Sequence, residues 1–125
     1  MIYPMSSETQ ELEKAKSHII VEIIEYIPNS VVIKTIIKKT TGNISAVSID
    51  SGEALSERIS PFDTFIQIID GEAVIVINKV PKKLGVGESI IIPAHSSTRI
   101  EAEVRFKMIS TVIKSGYDEV NPVGF

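Results

Sequence analysis

The sequence predicts an all-β protein of sandwich or barrel type. Three observations carry this. Ile, Val and Thr are abundant, and period-two or continuously apolar runs dominate the chain. Turn signals built on Gly, Asn, Asp and Pro separate these runs at the spacing of about 8–12 residues that short-stranded folds show. Only residues 7–16 read convincingly as a helix: Ser7 and Gln10 fit a capping box, and Glu, Lys, Leu and Ala favour helix. Its apolar stripe is thin (Leu12 and Ala15), so an extended surface arm is the other form open to it.

Taken in order, residues 18–26 contain a dense β-branched run, IIVEIIEY, open to a strand or a short helix. Residues 31–39 read as a strand, Thr41-Gly42-Asn43 as a turn, and residues 44–50 as the partner strand. Asp50-Ser51-Gly52 turns the chain again. Residues 64–69 form a strand that meets Asp70-Gly71, and residues 72–77 continue after it. Asn78-Lys79 closes a hairpin. Pro81 cannot donate to a ladder, so its segment is an edge or irregular. After the turn at residues 85–88, a strand over 89–92 ends at Pro93, and residues 99–103 and 105–114 complete the set. The tail, residues 116–125, has little strand character and two apolar residues, Val123 and Phe125, near its end.

At 125 residues this is one domain by size, with a core over about residues 26–114, an N-terminal arm before it and a tail from 115. That length buries a core without disulfides or structural metals. Net charge is −3 with no basic run, which argues against a nucleic-acid partner. The absence of cysteine removes thiol chemistry and suits a reducing compartment. No membrane-length apolar stretch and no signal-peptide pattern occur, so a cytoplasmic protein without a membrane partner is expected. There are two histidines, His18 and His95, so no three-histidine metal site can form within one chain.

Two stretches carry a known pattern. The first reads Gly52-x5-Arg58-x-Ser60-x3-Thr64-x6-Gly71, and the second Gly87-x5-Pro93-x-His95-x2-Thr98-x3-Ala102. With the local strings LSE-x3-PFD, Q-x2-DGEA and IIPA, they resemble the two-part signature of small single-domain cupins, over roughly residues 26–114. The resemblance implies a cupin-type double-stranded β-helix, a jelly-roll barrel of the RmlC-like kind, with a short N-terminal helical or extended arm. The glycines suit turns that need positive φ, and Pro93 suits a strand end.

In cupins two histidines and a glutamate of the first motif and a histidine of the second commonly bind a divalent metal. Those positions here match Arg58, Ser60, Thr64 and Thr98. A guanidinium repels a metal, and neutral hydroxyls replace imidazole and carboxylate poorly. No metal or other cofactor is therefore expected.

Arg58 and Ser60 share a face of an extended strand, the face that lines the barrel if the cupin frame holds. Two roles fit Arg58: a charge anchor for an anionic ligand, or a structural ion pair with Glu53, Glu57 or Asp63 or a turn outward to solvent. His95 occupies the usual glycine position of the second motif, as a general base or an exposed loop residue. Asp63 is open to a catalytic or a turn-capping role. Gln67 sits in an apolar strand and contacts a ligand, a neighbouring strand or a second subunit. His18 reads as structural, and the facing of Lys107 depends on register. Large aliphatics on both strand faces call for a second cover, from the N-terminal segment, the other sheet or a partner subunit. Small cupins commonly dimerise, so a homodimer is expected.

The functional expectation is a barrel without the usual metal ligands that binds a small, anionic molecule, or serves as a non-catalytic dimeric module. Arg58, Ser60, Thr64, Thr98, His95 and Gln67 are its ligand contacts. The alternative is a metal-independent sugar epimerase or isomerase using His95 or Asp63. A metal-dependent dioxygenase or isomerase ranks third.

Overall fold

The structure, a computed structural model, describes residues 10–117. Its strands are β1 (Val31–Lys39), β2 (Gly42–Ile49), β3 (Ala54–Ile59), β4 (Asp63–Ile77), β5 (Val80–Gly85), β6 (Ser89–Ile92), β7 (Ser97–Glu101) and β8 (Phe106–Ile113). The hydrogen-bonded order is β1-β2-β8-β4-β7-β3, with β5 and β6 also paired to β4, and every pair is antiparallel.

β4 makes this one sheet into a barrel. Its first half pairs β6 and β8, and its second half pairs β5 and β7. The change of partners falls at Asp70-Gly71, just after a bulge in the β4–β8 ladder between Ile68 and Asp70. A sequence break was expected there, but the strand runs straight through it. The physical reason is the β8 partner: Asp70 and Gly71 stay paired with Lys107 and Phe106. Gly71 has φ +73°, and a Cβ there would lie 2.0 Å from the Arg105 carbonyl oxygen. Asp-Gly, a turn signal in isolation, here supplies the corner of a long strand.

Two walls therefore face each other. One holds β1, β2, β8, β6 and the first half of β4; the other holds β3, β7, β5 and the second half of β4. Val47, Ile49, Ile66, Ile68, Ile75 and Phe106 fill the space between them at one end. β5 carries Pro81 opposite Val76 and pairs with β4 alone, the edge position that a proline requires.

The segment before β1 covers the outside of the first wall. Residues 10–16 are turns and bends, with no helix, and Ser7 lies outside the described residues. Ala15 has φ +61°, which a helix cannot contain, and the Leu12 N–H donates to the Ile36 carbonyl at 3.1 Å. Glu11 Oε2 accepts the Lys38 N–H at 2.7 Å. A 3-10 turn (Ile20–Glu22) then leads to Ile23 and Ile24, which are buried against Ala46 and Ile109 on the wall's outer face. This cover accounts for Ile23 and Ile24 of IIVEIIEY and for Val32 and Ile36 of β1, while Ile19 and Ile20 stay exposed. His18 is exposed, and its Nε2 contacts the Glu13 carbonyl at 3.1 Å.

Lys107 faces outward beneath this cover and is buried. Its Nζ donates to the Val21 carbonyl at 2.7 Å and lies 5.0 Å from the Tyr26 ring centroid. Arg105 sits 4.3 Å from the same centroid, and the Tyr26 hydroxyl donates to Asp70 Oδ2 at 2.6 Å. The covering segment is thus clamped to the barrel by one aromatic ring, two cations and one carboxylate. Among the described residues no helix is long and apolar enough to cross a membrane. Val123 and Phe125 lie outside the described residues.

Candidate functional site

The end of the barrel opposite the packed core holds a cavity of about 480 Å³. That volume falls in the range of small-molecule sites, roughly 300–1,000 Å³. Arg58, Ser60, Thr64 and Thr98 all line it. The four residues picked out by the motif spacing are therefore brought together, from β3, the loop after it, β4 and β7.

Register explains how. On the second wall Arg58 pairs with Thr98, and Thr98 with Ile77. A bulge lies between Leu55 and Arg58: Leu55 pairs Ile100 and Arg58 pairs Thr98, so that Ser56 and Glu57 stand against Arg99 alone. The bulge puts both Leu55 and Arg58 on the inner side, where a regular ladder would have set Glu57 beside Thr98. Glu57 instead turns outward and accepts the Ser97 hydroxyl.

On the first wall, Asn43, Val112, Thr64 and Ile92 form one cross-strand row at the mouth. Ser45 and Ser110 pair in the row beneath, and both line the cavity. The facing walls of such a sandwich stand about 10 Å apart. The upper half of the space thus mixes amide and hydroxyl groups with Val112 and Ile92, and aliphatics such as Ile66 and Ile100 line it below.

Of the roles open to Arg58, the structural ion pair is not formed among the described residues. Arg58 is exposed, at the cavity's open edge. The candidate acids are otherwise engaged or turned away: Asp63 Oδ1 accepts the Ala94 N–H at 2.8 Å, and Glu57 faces outward. Lys114 lines the rim as a second cation, 6.0 Å from the Phe62 ring centroid. Among the described residues no acid lines the cavity.

Two buried side-chain polar atoms among the described residues have no hydrogen-bond partner, Asn43 Oδ1 and Thr98 Oγ1, and both residues line this cavity. Asn43 is the residue sequence reasoning missed. Thr41-Gly42-Asn43 reads as a turn, but β2 begins at Gly42, and the alternation Asn43, Ser45, Val47, Ile49 was the available sign of its inward facing.

Three further candidates sit elsewhere. Gln67 is exposed on the outer face of β4, between the inward Ile66 and Ile68. His95 is exposed on the loop between β6 and β7, and lines a shallow space beside the mouth with Phe62, Lys114 and Tyr117. Its φ of +68° shows why glycine is usual there, and its N–H donates to the Ser60 carbonyl at 2.6 Å. Asp63 starts β4, where its N–H donates to the Tyr117 hydroxyl at 2.7 Å and its carboxylate holds the 93–96 loop.

Structures that share this arrangement decide the fold. A conserved protein of unknown function from Streptococcus pyogenes superposes with a TM-score of 0.81 at 23% identity, covering 86% of this chain and 94% of that one. A cupin superfamily protein from Desulfitobacterium hafniense gives 0.79 at 27% identity, covering 85% and 97%. The chain folds as a small cupin. A cupin 2 conserved barrel domain protein from Leptotrichia buccalis gives 0.73 at 29% identity over 75% of this chain and 46% of that longer one. No family model and no curated protein matches the sequence.

The cupin fold implies a metal at this position, and the donor chemistry does not fit one. The lining residues supply no imidazole, thiolate or carboxylate. Among the described residues no group of three or more His, Cys, Asp or Glu is placed to hold an ion. Hydroxyls and a guanidinium do not meet the ligand preferences of transition metals.

Proposed function

We propose that this cupin is a metal-independent binding module that takes a small anionic molecule into its barrel and performs no chemistry of its own. The observation that carries the reading is the charge at the mouth. Among the described residues Arg58 and Lys114 line the cavity, no acid does, and Arg58 has no ion-pair partner. Arg58 offers a carboxylate two parallel N–H donors, and Lys114 adds a point charge. Ser60, Thr64 and Thr98 supply neutral hydrogen bonds, and the aliphatic floor takes the apolar part of the ligand.

The experiment is a calorimetric titration with short carboxylates against the wild type and Arg58→Ala. Saturable binding that weakens about tenfold or more in the variant is expected, in line with about 1.5–3 kcal/mol for a hydrogen bond to a charged group. Equal affinity in both removes Arg58 as the anchor. Elemental analysis of protein purified without chelators checks the other half: one transition metal per chain would overturn it.

We also propose that the chain forms a homodimer through the part of the first wall that the N-terminal segment leaves uncovered. There Phe65 on β4 pairs with Ile91 on β6, both exposed, with Ile113 exposed on the same outer face at the end of β8. Ile91 is 63% and Ile113 53% exposed. A flat aliphatic patch of this kind is self-complementary about a two-fold axis, the commonest symmetry of soluble oligomers.

A further inference from the structure

Resting on the anion reading above, we infer that the ligand is a hydroxylated carboxylate, a sugar acid in chemical class, and that Asn43 and Thr98 select its hydroxyl groups. The two atoms Asn43 Oδ1 and Thr98 Oγ1 are the only buried side-chain polar atoms without a partner among the described residues, and they belong to opposite walls of one cavity. A buried polar atom left unpaired is destabilising, so both positions favour an occupant that completes their hydrogen bonds. An amide edge and a hydroxyl together ask for a group that both donates and accepts. A ligand hydroxyl does this whichever way the Asn43 amide is turned.

Position adds the second element. Thr98 pairs directly with Arg58, so the hydroxyl and the cation come from neighbouring positions on the inner side of one strand pair. Asn43 lies across the cavity, on the opposite wall, roughly 10 Å away by the usual sheet spacing. Ser45 and Ser110 stand in the row below it. A chain of several hydroxylated carbons with one carboxylate end matches that sequence of groups. A fatty carboxylate would satisfy Arg58 and leave Asn43 and Thr98 unpaired.

Three probes of similar length separate the ideas: gluconate carries the carboxylate and hydroxyls, hexanoate the carboxylate alone, and sorbitol the hydroxyls alone. The expected result is that wild-type protein binds gluconate about tenfold or more tighter than hexanoate, with no saturable binding of sorbitol. Asn43→Leu and Thr98→Val each bring gluconate close to the hexanoate affinity and leave hexanoate unchanged. Thr98→Val preserves side-chain shape. The Asn43 side-chain amide signals in the wild-type NMR spectrum shift with gluconate and stay still with hexanoate, which gives a readout free of any folding defect in Asn43→Leu. Equal affinity for gluconate and hexanoate, with both weakened by Arg58→Ala, overturns this inference and leaves the anion site standing. Gluconate binding that Arg58→Ala does not alter, sorbitol binding as tight as gluconate, or no saturable binding of any probe overturns the anion site and this inference with it.

Discussion

Tyr26 shows how much one side chain does outside the cavity. Its hydroxyl donates to Asp70, its ring lies under Arg105 and beside Lys107, and it joins the covering segment to two strands at once. Burial first, and then the Asp70 carboxylate that accepts its proton, push the hydroxyl well above its ordinary value of 10.0. A raised folded-state pKa means the protonated form is favoured by folding. Its contribution is complete below pH 10.0 and is lost as pH climbs toward the folded value. Tyr26→Phe should therefore destabilise the protein by about 1–2 kcal/mol at neutral pH. The difference from wild type should shrink in strongly alkaline buffer, as read by urea melts across the pH range. A wild type and variant of equal stability at neutral pH would remove the clamp. None of this was legible in the sequence, because Tyr26, Asp70 and Arg105 meet only through the pairing of β4 with β8. The four motif positions were legible through the cupin resemblance, but β3 itself was not expected, and Arg58 reaches the inner side through a bulge that no local pattern announces. Arg58's exposure was left open as one of two outcomes, because the height of a residue along the barrel depends on where the walls end.

At the level of elements, β4 carries the fold. Its 15 residues serve both walls, and the corner at Gly71 is where they divide. Gly52 and Gly71 both have positive φ, yet they differ in surroundings: a Cβ at Gly52 meets nothing within 4 Å, whereas at Gly71 it would collide with the Arg105 carbonyl and the Phe106 Cα at 2.0 and 2.7 Å. Gly52→Ala should cost about 1 kcal/mol, the conformational strain alone. Gly71→Ala should cost about 3 kcal/mol or more, or prevent folding, since backbone has to move as well. Thermal melts of the two variants side by side test this, and similar losses would mean that the corner is softer than its contacts imply. The two glycines look alike in sequence, each following a polar residue between apolar runs. What separates them is a neighbour some 35 positions away, and short-range pattern carries no information about it. Most other elements were readable, because period-two alternation and turn residues are local. Of the two forms open to residues 7–16, the described part, 10–16, is the extended arm, because Glu11 and the Leu12 N–H find partners along β1 where a thin two-residue stripe offers a helix little.

For the whole molecule, the barrel has three distinct surfaces: a polar mouth, an outer face clamped under the N-terminal segment, and an outer face left open. The proposed homodimer uses the open face. Light scattering behind size exclusion should show a dimer for wild type and a monomer for Phe65→Arg with Ile91→Glu, with the melting profile little changed because neither side chain is in the core. A monomeric wild type at micromolar concentration rejects the interface. The bulge in β3 has a different consequence at this scale, one of tolerance to changes in chain length. Losing a residue from a regular strand turns everything beyond it inside out. β3 carries one residue in surplus between Leu55 and Arg58. Deleting Ser56 should leave a plain ladder with Arg58 still opposite Thr98, so carboxylate affinity should survive, within about threefold by titration. Adding a residue at the same point should destroy it. Among chains of this shape, shortening here is the permitted direction of drift, and lengthening would exchange a positive mouth for another.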